Sequence, residues 1–114
     1  MNIQEVLQKA VELKVSDIFI IAGAPISFKI GDLIRPYNDE KLMPENTEEA
    51  ARQIYELDHR DISSLYESGD DDFSFSIKSL SRFRCNAYKQ RGSLALILRV
   101  VNFELPDYST LGIP

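Results

Sequence analysis

Apolar side chains recur at helical spacing near the start of the chain, at Ile3, Val6, Leu7, Ala10 and Val11. This spacing predicts an amphipathic helix over 3–14, with Asn2 and Glu5 resembling a capping box at its entry. The pattern then changes. Ile18-Phe19-Ile20-Ile21-Ala22 is a short continuous apolar run, expected of a buried strand, and Gly23-Ala24-Pro25 ends it. Ile26-Ser27-Phe28-Lys29-Ile30 alternates as a second strand. Gly31-Asp32 supplies a two-residue turn, because glycine reaches the positive φ such a turn needs, and Leu33-Ile34 forms a short return.

The stretch 36–43 is polar and irregular. Asn46 with Glu49 again resembles a capping box, opening a helix that buries Ala50, Ile54 and Leu57. Asp58 is expected to cap a second short helix carrying Ile62, Leu65 and Tyr66, which Gly69 stops. Strict alternation returns at 72–77, and strands over 81–89 and 94–101 complete a three-strand meander. Pro and Gly punctuate 102–114, which is expected to be a linker. The predicted fold class is α/β of the α+β kind: a mostly antiparallel sheet with helices packed on it, over 1–101.

At 114 residues, 44% of them hydrophobic and 27% charged, the chain fits one globular domain. No apolar run approaches the ~20 residues of a membrane span, and 1–5 lack the basic start of a secretory signal. A single cysteine, Cys85, leaves no internal disulfide and agrees with a reducing compartment, so the expected location is cytoplasmic. The net charge of −5 argues against a general nucleic-acid binder. Its distribution is uneven. Residues 78–99 carry six basic side chains and no acid, whereas 37–72 carry twelve acids and three basic side chains.

Catalytic signatures are missing. No Gly-x-x-x-x-Gly-Lys-Ser/Thr phosphate loop occurs, and the five glycines form no Gly-x-Gly-x-x-Gly turn. One Cys and one His cannot supply a zinc site, so no metal is expected. His59 is expected as a solvent-facing helix residue, Cys85 as a packed thiol, and Asp70-Asp71-Asp72 as a solvated turn rather than a calcium loop.

The basic strip is more specific. Alternation puts Arg82, Arg84, Asn86 and Tyr88 on one strand face and Phe83, Cys85 and Ala87 on the other. If Arg91-Gly92 is the turn, Gln90 meets Ser93, Lys89 meets Leu94, Asn86 meets Ile97, and Arg84 meets Arg99. Like charges placed opposite each other are unfavourable by up to ~1 kcal/mol and call for a compensating anion. An internal carboxylate, from the acidic helices or from 70–72, answers this. So does an external polyanion, whose phosphate oxygens match paired guanidinium forks. A nucleic-acid surface would combine these arginines with Phe83 and Tyr88.

Arg82-Phe83-Arg84-Cys85-Asn86-Ala87-Tyr88-Lys89-Gln90-Arg91-Gly92, followed by an apolar strand ending in Arg99, resembles the N-terminal domain of the PilT family of type IV pilus retraction ATPases, within the type II/IV secretion ATPases. Ser16-Asp17-Ile18 with Ala22-Gly23-x-Pro25, Asp72-Phe73-Ser74-Phe75, and Leu111-Gly112-Ile113-Pro114 are similar to further family stretches in the same order. Phe19 stands where that family has histidine, Gly31-Asp32 reverses its Asp-Gly turn, and Ile26 replaces its second proline.

The resemblance implies a PAS-like domain of a hexameric motor, with 102–114 leading into a P-loop ATPase domain absent from this chain. By motif position, Arg84 and Arg99 would contact nucleotide phosphates, with Arg91 a third candidate. The resemblance further implies ATP and Mg2+ in the full-length parent, an ATP hydrolase, and no cofactor bound by this fragment alone. Implied partners are the protein's own C-terminal P-loop domain, neighbouring subunits of a homohexamer, and a pilus platform protein at the inner membrane. Neither nucleic acid nor direct membrane insertion is among them. Two other readings carry the same residues: a non-catalytic PAS-like interaction or sensor module, and the equivalent domain of a pilus-extension or type II secretion ATPase.

Overall fold

The computed structural model describes residues 1–103. Nine elements follow one another: α1 (Ile3–Glu12), β1 (Asp17–Ile20), β2 (Ser27–Ile30), β3 (Leu33–Pro36), α2 (Pro44–Leu57), α3 (Ser63–Ser68), β4 (Asp70–Ile77), β5 (Ser81–Gln90) and β6 (Ser93–Phe103). The six strands form one antiparallel sheet in the order β3-β2-β1-β6-β5-β4. The expected linker therefore starts inside β6, which runs through Phe103, and its remainder, 104–114, lies outside the described residues.

Local chemistry explains where the helices begin. The Asn2 carboxamide accepts hydrogen bonds from the Gln4 and Glu5 N–H groups at 3.0 and 3.3 Å, which fixes the entry of α1 as expected. The helix stops at Glu12, earlier than expected, because Lys14 turns into the left-handed region at φ 58°. α2 begins at Pro44, two residues before the expected cap. Proline at the first helical position needs no N–H partner, and Asn46 accepts from the Met43 N–H at 2.8 Å as the third residue of the helix.

Asp58 ends α2 rather than opening α3; the carboxylate that receives the Ser63 N–H at 2.9 Å is that of Asp61. His59 occupies the turn after α2 at φ 52° and is exposed, so it faces solvent from a turn and not from a helix. Gly69 stops α3 in the left-handed conformation, φ 90°. The Asp70-Asp71-Asp72 run is not a turn: it is the first part of β4, paired with Tyr88, Ala87 and Asn86.

All three helices pack on one face of the sheet. Ile3, Val6, Leu7 and Ala10 of α1, with Ala50, Ala51, Ile54 and Tyr55 of α2 and Leu65 of α3, join Ile18, Phe73, Phe75, Phe83, Cys85, Leu96 and Leu98 in a single core. Alternation sends the intervening strand residues to the other face, where Arg84, Asn86 and Arg99 are exposed. No helix among the described residues is long and apolar enough to cross a membrane.

Candidate functional site

The β5–β6 hairpin closes on Arg91 and Gly92, at φ 31° and 78°. Two consecutive positive φ values give the turn a twist that suits two right-twisted strands, and they fix the register. That register is the expected one: Gln90 opposite Ser93, Lys89 opposite Leu94, Asn86 opposite Ile97, and Arg84 opposite Arg99. Beyond the pair, a bulge at Arg82/Phe83 sets Arg82 opposite Asn102.

Neighbouring strands extend the arginine pair into a row. β6 lies against β1, which places Asp17 directly across from Arg99. β5 lies against β4, which places Ser74 across from Arg84 and Asp72 one step along the same face. Arg99 Nε donates to Asp17 Oδ1 at 3.1 Å. Arg84 donates through Nε and Nη2 to the two oxygens of Asp72, at 3.2 and 3.1 Å. Across four strands the charges run Asp17, Arg99, Arg84, Asp72. Each guanidinium has a carboxylate on its outer side, and this offsets the repulsion between them. An internal carboxylate thus answers each arginine: Asp72 comes from the acidic run 70–72, as expected, and Asp17 comes from β1, outside the acidic segments. The Arg84 hydrogen bonds hold Asp72 below the usual carboxylate range, and Asp72 in turn raises Arg84.

The two carboxylates differ in setting. Asp17 is buried, its side chain 9% exposed against 71% for Arg99. The Ser16 hydroxyl donates to its other oxygen, Oδ2, at 2.9 Å. The Asp72 side chain is 48% exposed on an edge strand, and Arg84 is 63% exposed.

Arg91 is not part of this cluster. It sits at the hairpin tip, seven residues from Arg84 and so ~20 Å along the strand. There it lines a groove of about 360 Å³ with Pro44, Glu45, Glu48 and Tyr66. Phe83 is fully buried and stacks on Phe75 at 5.3 Å between ring centroids, so it is unavailable to stack on a base.

A second charged cluster lies on the helix side. Arg60, just past α2, donates through Nε and Nη2 to Asp71 at 2.9 and 2.8 Å, and the Tyr55 hydroxyl donates to Asp71 Oδ2 at 2.7 Å. The guanidinium carbon also sits 4.6 Å from the centroid of Phe73. Arg60 holds the Asp71 carboxyl below its usual range, while burial, and then the hydrogen bond to Asp71, push the Tyr55 hydroxyl up. Sequence alone singled out none of these three as partners. Cys85 is buried, and burial pushes its thiol up to about 12, so it is an inert packed group. Among the described residues no group of three or more His, Cys, Asp or Glu is placed to hold a metal ion.

No protein-family model matches the chain. The type IV pilus ATPase PilU of Pseudomonas aeruginosa is 31% identical to it over 115 residues, covering 100% of this chain and 29% of that protein. The retraction ATPase PilT of the same organism is 26% identical, covering 98% of this chain and 32% of that protein. The crystal structure of the pilus retraction motor PilT with bound ADP superposes with a TM-score of 0.75 at 36% identity, covering 100% of this chain and 33% of that one. The Legionella pneumophila ATPase DotB shares the fold, with a TM-score of 0.69 at 23% identity over 98% of this chain and 31% of that one. The chain spans about a third of the length of these relatives. It is homologous over its whole length to the type IV pilus ATPases PilU and PilT, and its six-stranded α+β fold is that of the PilT N-terminal domain.

Proposed function

We propose that this chain is the PAS-like N-terminal domain of a hexameric pilus-retraction motor, the engine of twitching motility, in which Arg84 and Arg99 contact the phosphates of ATP. The nucleotide and its Mg2+ are held by a P-loop domain that 102–114 lead into, and closure of the two domains brings the arginines to the phosphates. The observation that carries this reading is the arginine pair itself: two exposed guanidinium groups, opposite each other on the face of the sheet that no helix covers. Their donor sets suit a phosphate group, since each planar fork offers parallel N–H groups to two oxygens. The ADP found with PilT, and the fit of this fold to that motor, support the choice of ligand.

In this reading the domain does not hydrolyse ATP alone. It stabilises charge that develops on the transferred phosphoryl group, and it couples that event to domain motion. Its partners are its own P-loop domain and the adjacent subunits of the hexamer. The assembled motor works on the cytoplasmic side of the inner membrane against the pilus platform protein.

The test uses the full-length protein. Its gene should encode a phosphate-binding loop beyond residue 114. Arg84→Ala and Arg99→Ala should each cut ATPase turnover by about 10²–10³-fold, the scale of losing one preorganised donor. The Arg84–Asp72 pair is exposed on both sides and contributes little to stability, so Arg84→Ala should melt close to the parent, whereas Arg99→Ala leaves the buried Asp17 carboxylate without its partner and should melt lower. Turnover within about threefold of the parent for both variants, less than one donor's share, overturns the proposal.

A further inference from the structure

The two arginines are satisfied differently, and the difference assigns separate parts to their carboxylates. Asp17 has both oxygens occupied, Oδ2 by the Ser16 hydroxyl and Oδ1 by Arg99 Nε. The chain beside it is fastened on both sides: the Ser16 N–H donates to the Lys29 carbonyl at 2.9 Å, and the Ser16 carbonyl accepts from the Val100 N–H at 3.0 Å. Asp17 is therefore a fixed, buried charge. Arg99 binds it through Nε only, and among the described residues nothing accepts from its two Nη nitrogens. The end of this guanidinium fork points onward with four N–H donors uncommitted.

Arg84 presents the converse. Its Nε and Nη2 are both spent on Asp72, an exposed side chain on an edge strand. Separating a surface pair costs little, whereas abandoning a buried carboxylate is expensive. An arriving polyanion therefore displaces Asp72 from Arg84 but leaves Arg99 on Asp17.

We infer that Asp17 is a positioning residue that aims the Nη end of Arg99 at the incoming phosphate, while Asp72 is a resident anion that the phosphate replaces on Arg84. This rests on the phosphate contact proposed above and adds to it which carboxylate stays and which leaves.

The two substitutions have opposite signs. In the full-length ATPase, Asp17→Asn should lower kcat by about 10- to 100-fold, as expected when a catalytic contact loses its alignment. Asp72→Asn should lower KM for ATP with kcat within about threefold of the parent, because Arg84 no longer has to be released from a charged partner. The loss caused by Asp17→Asn should vanish in an Arg99→Ala background, since the two residues act as a unit. Ser16→Ala, which removes the hydroxyl that orients Asp17 without changing charge, should produce a smaller loss of the same kind. It serves where Asp17→Asn lowers the melting temperature. Asp17→Glu, which keeps the charge, should recover part of the turnover lost in Asp17→Asn.

Equal losses from Asp17→Asn or Ser16→Ala with and without Arg99 overturn the positioning role. A raised KM in Asp72→Asn overturns the exchange. If Arg99→Ala itself leaves turnover unchanged, the phosphate contact falls and this inference falls with it. If Arg99→Ala is crippled while Asp17→Asn and Ser16→Ala are normal, the contact stands and only the assignment of Asp17 fails.

Discussion

Arg60→Ala is the substitution whose cost the structure defines most closely. Arg60 makes a two-point contact with Asp71 at 2.9 and 2.8 Å and covers one face of the Phe73 ring at 4.6 Å. Hydrogen bonds involving charged groups contribute ~1.5–3 kcal/mol, and a partly exposed cation–π contact ~0.5–1 kcal/mol. Arg60 is 35% exposed, which places the ion pair at the low end, while Asp71 is only 13% exposed. Asp71 also keeps the Tyr55 hydroxyl and the Asp72 N–H after the change, so its charge is not orphaned. The expected loss is ~2 kcal/mol, or ~8–16 °C in melting temperature for a domain of this size.

Thermal unfolding followed by circular dichroism reads this directly. Arg52→Ala is the control: Arg52 pairs with Glu48 one helical turn away, both well exposed, and pairs of that kind contribute ~0.3–0.5 kcal/mol. The pH dependence supplies a second readout. Asp71 is held below its unfolded value, so the stabilisation is present above ~pH 4 and is lost as pH falls through the folded value. The melting curves of parent and Arg60→Ala should stay a constant distance apart from pH 8 to 5 and converge below ~pH 4. If Arg60→Ala melts within a few degrees of Arg52→Ala, or the gap persists unchanged into acid, the cluster does not fasten α2 to β4 and the reasoning fails.

Phe83→Ala should cost ~3–5 kcal/mol in denaturant unfolding, because the ring is fully buried and stacked on Phe75; a loss below ~1.5 kcal/mol would mean the core collapses to fill the space. Cys85 should resist a thiol-reactive dye at pH 8 in the native protein and react once the chain is unfolded, since its thiol is buried and pushed up to about 12. Native labelling at the rate of a free thiol would contradict that burial.

The hairpin register is visible in the sequence because one local device sets it. A two-residue turn with glycine second leaves the alternation on both strands a single phase, and the Arg84–Arg99 pair follows by counting. The start of α1 is visible for a similar reason, since Asn2 acts within three residues. The start of α2 was equally local but was signalled by Pro44 rather than by the competing Asn46–Glu49 pattern. Asp70–Asp72 misleads because three acids together disfavour strand structure when judged alone. On an edge strand the same charges are tolerated, and they guard the open side of β4. Asp17 with Arg99 is a different matter. The partners are 82 residues apart and meet only because β6 inserts between β1 and β5, an adjacency that no local pattern encodes.

That adjacency also decides what kind of anion suits the basic strip. Taken alone, residues 78–99 look like a cationic track, but folding sets Asp17 and Asp72 outside Arg99 and Arg84. The row of two acids and two arginines carries no net charge. Binding to an extended polyanion draws its affinity from many uncompensated cations that release counterions, and this row offers none in excess. A compact anion has a different requirement: donors that are already aimed, and a resident carboxylate that leaves easily. Arg99, fixed at Nε with its Nη nitrogens open, meets the first condition, and Arg84, held by an exposed edge-strand aspartate, meets the second. Arg60 meets neither, because its pair is completed by Tyr55 and its face by Phe73. Equivalent Arg–Asp chemistry therefore braces the fold on the helix-covered side of the sheet, while on the open side it holds Arg99 in place on Asp17 and leaves only the Arg84–Asp72 pair exchangeable.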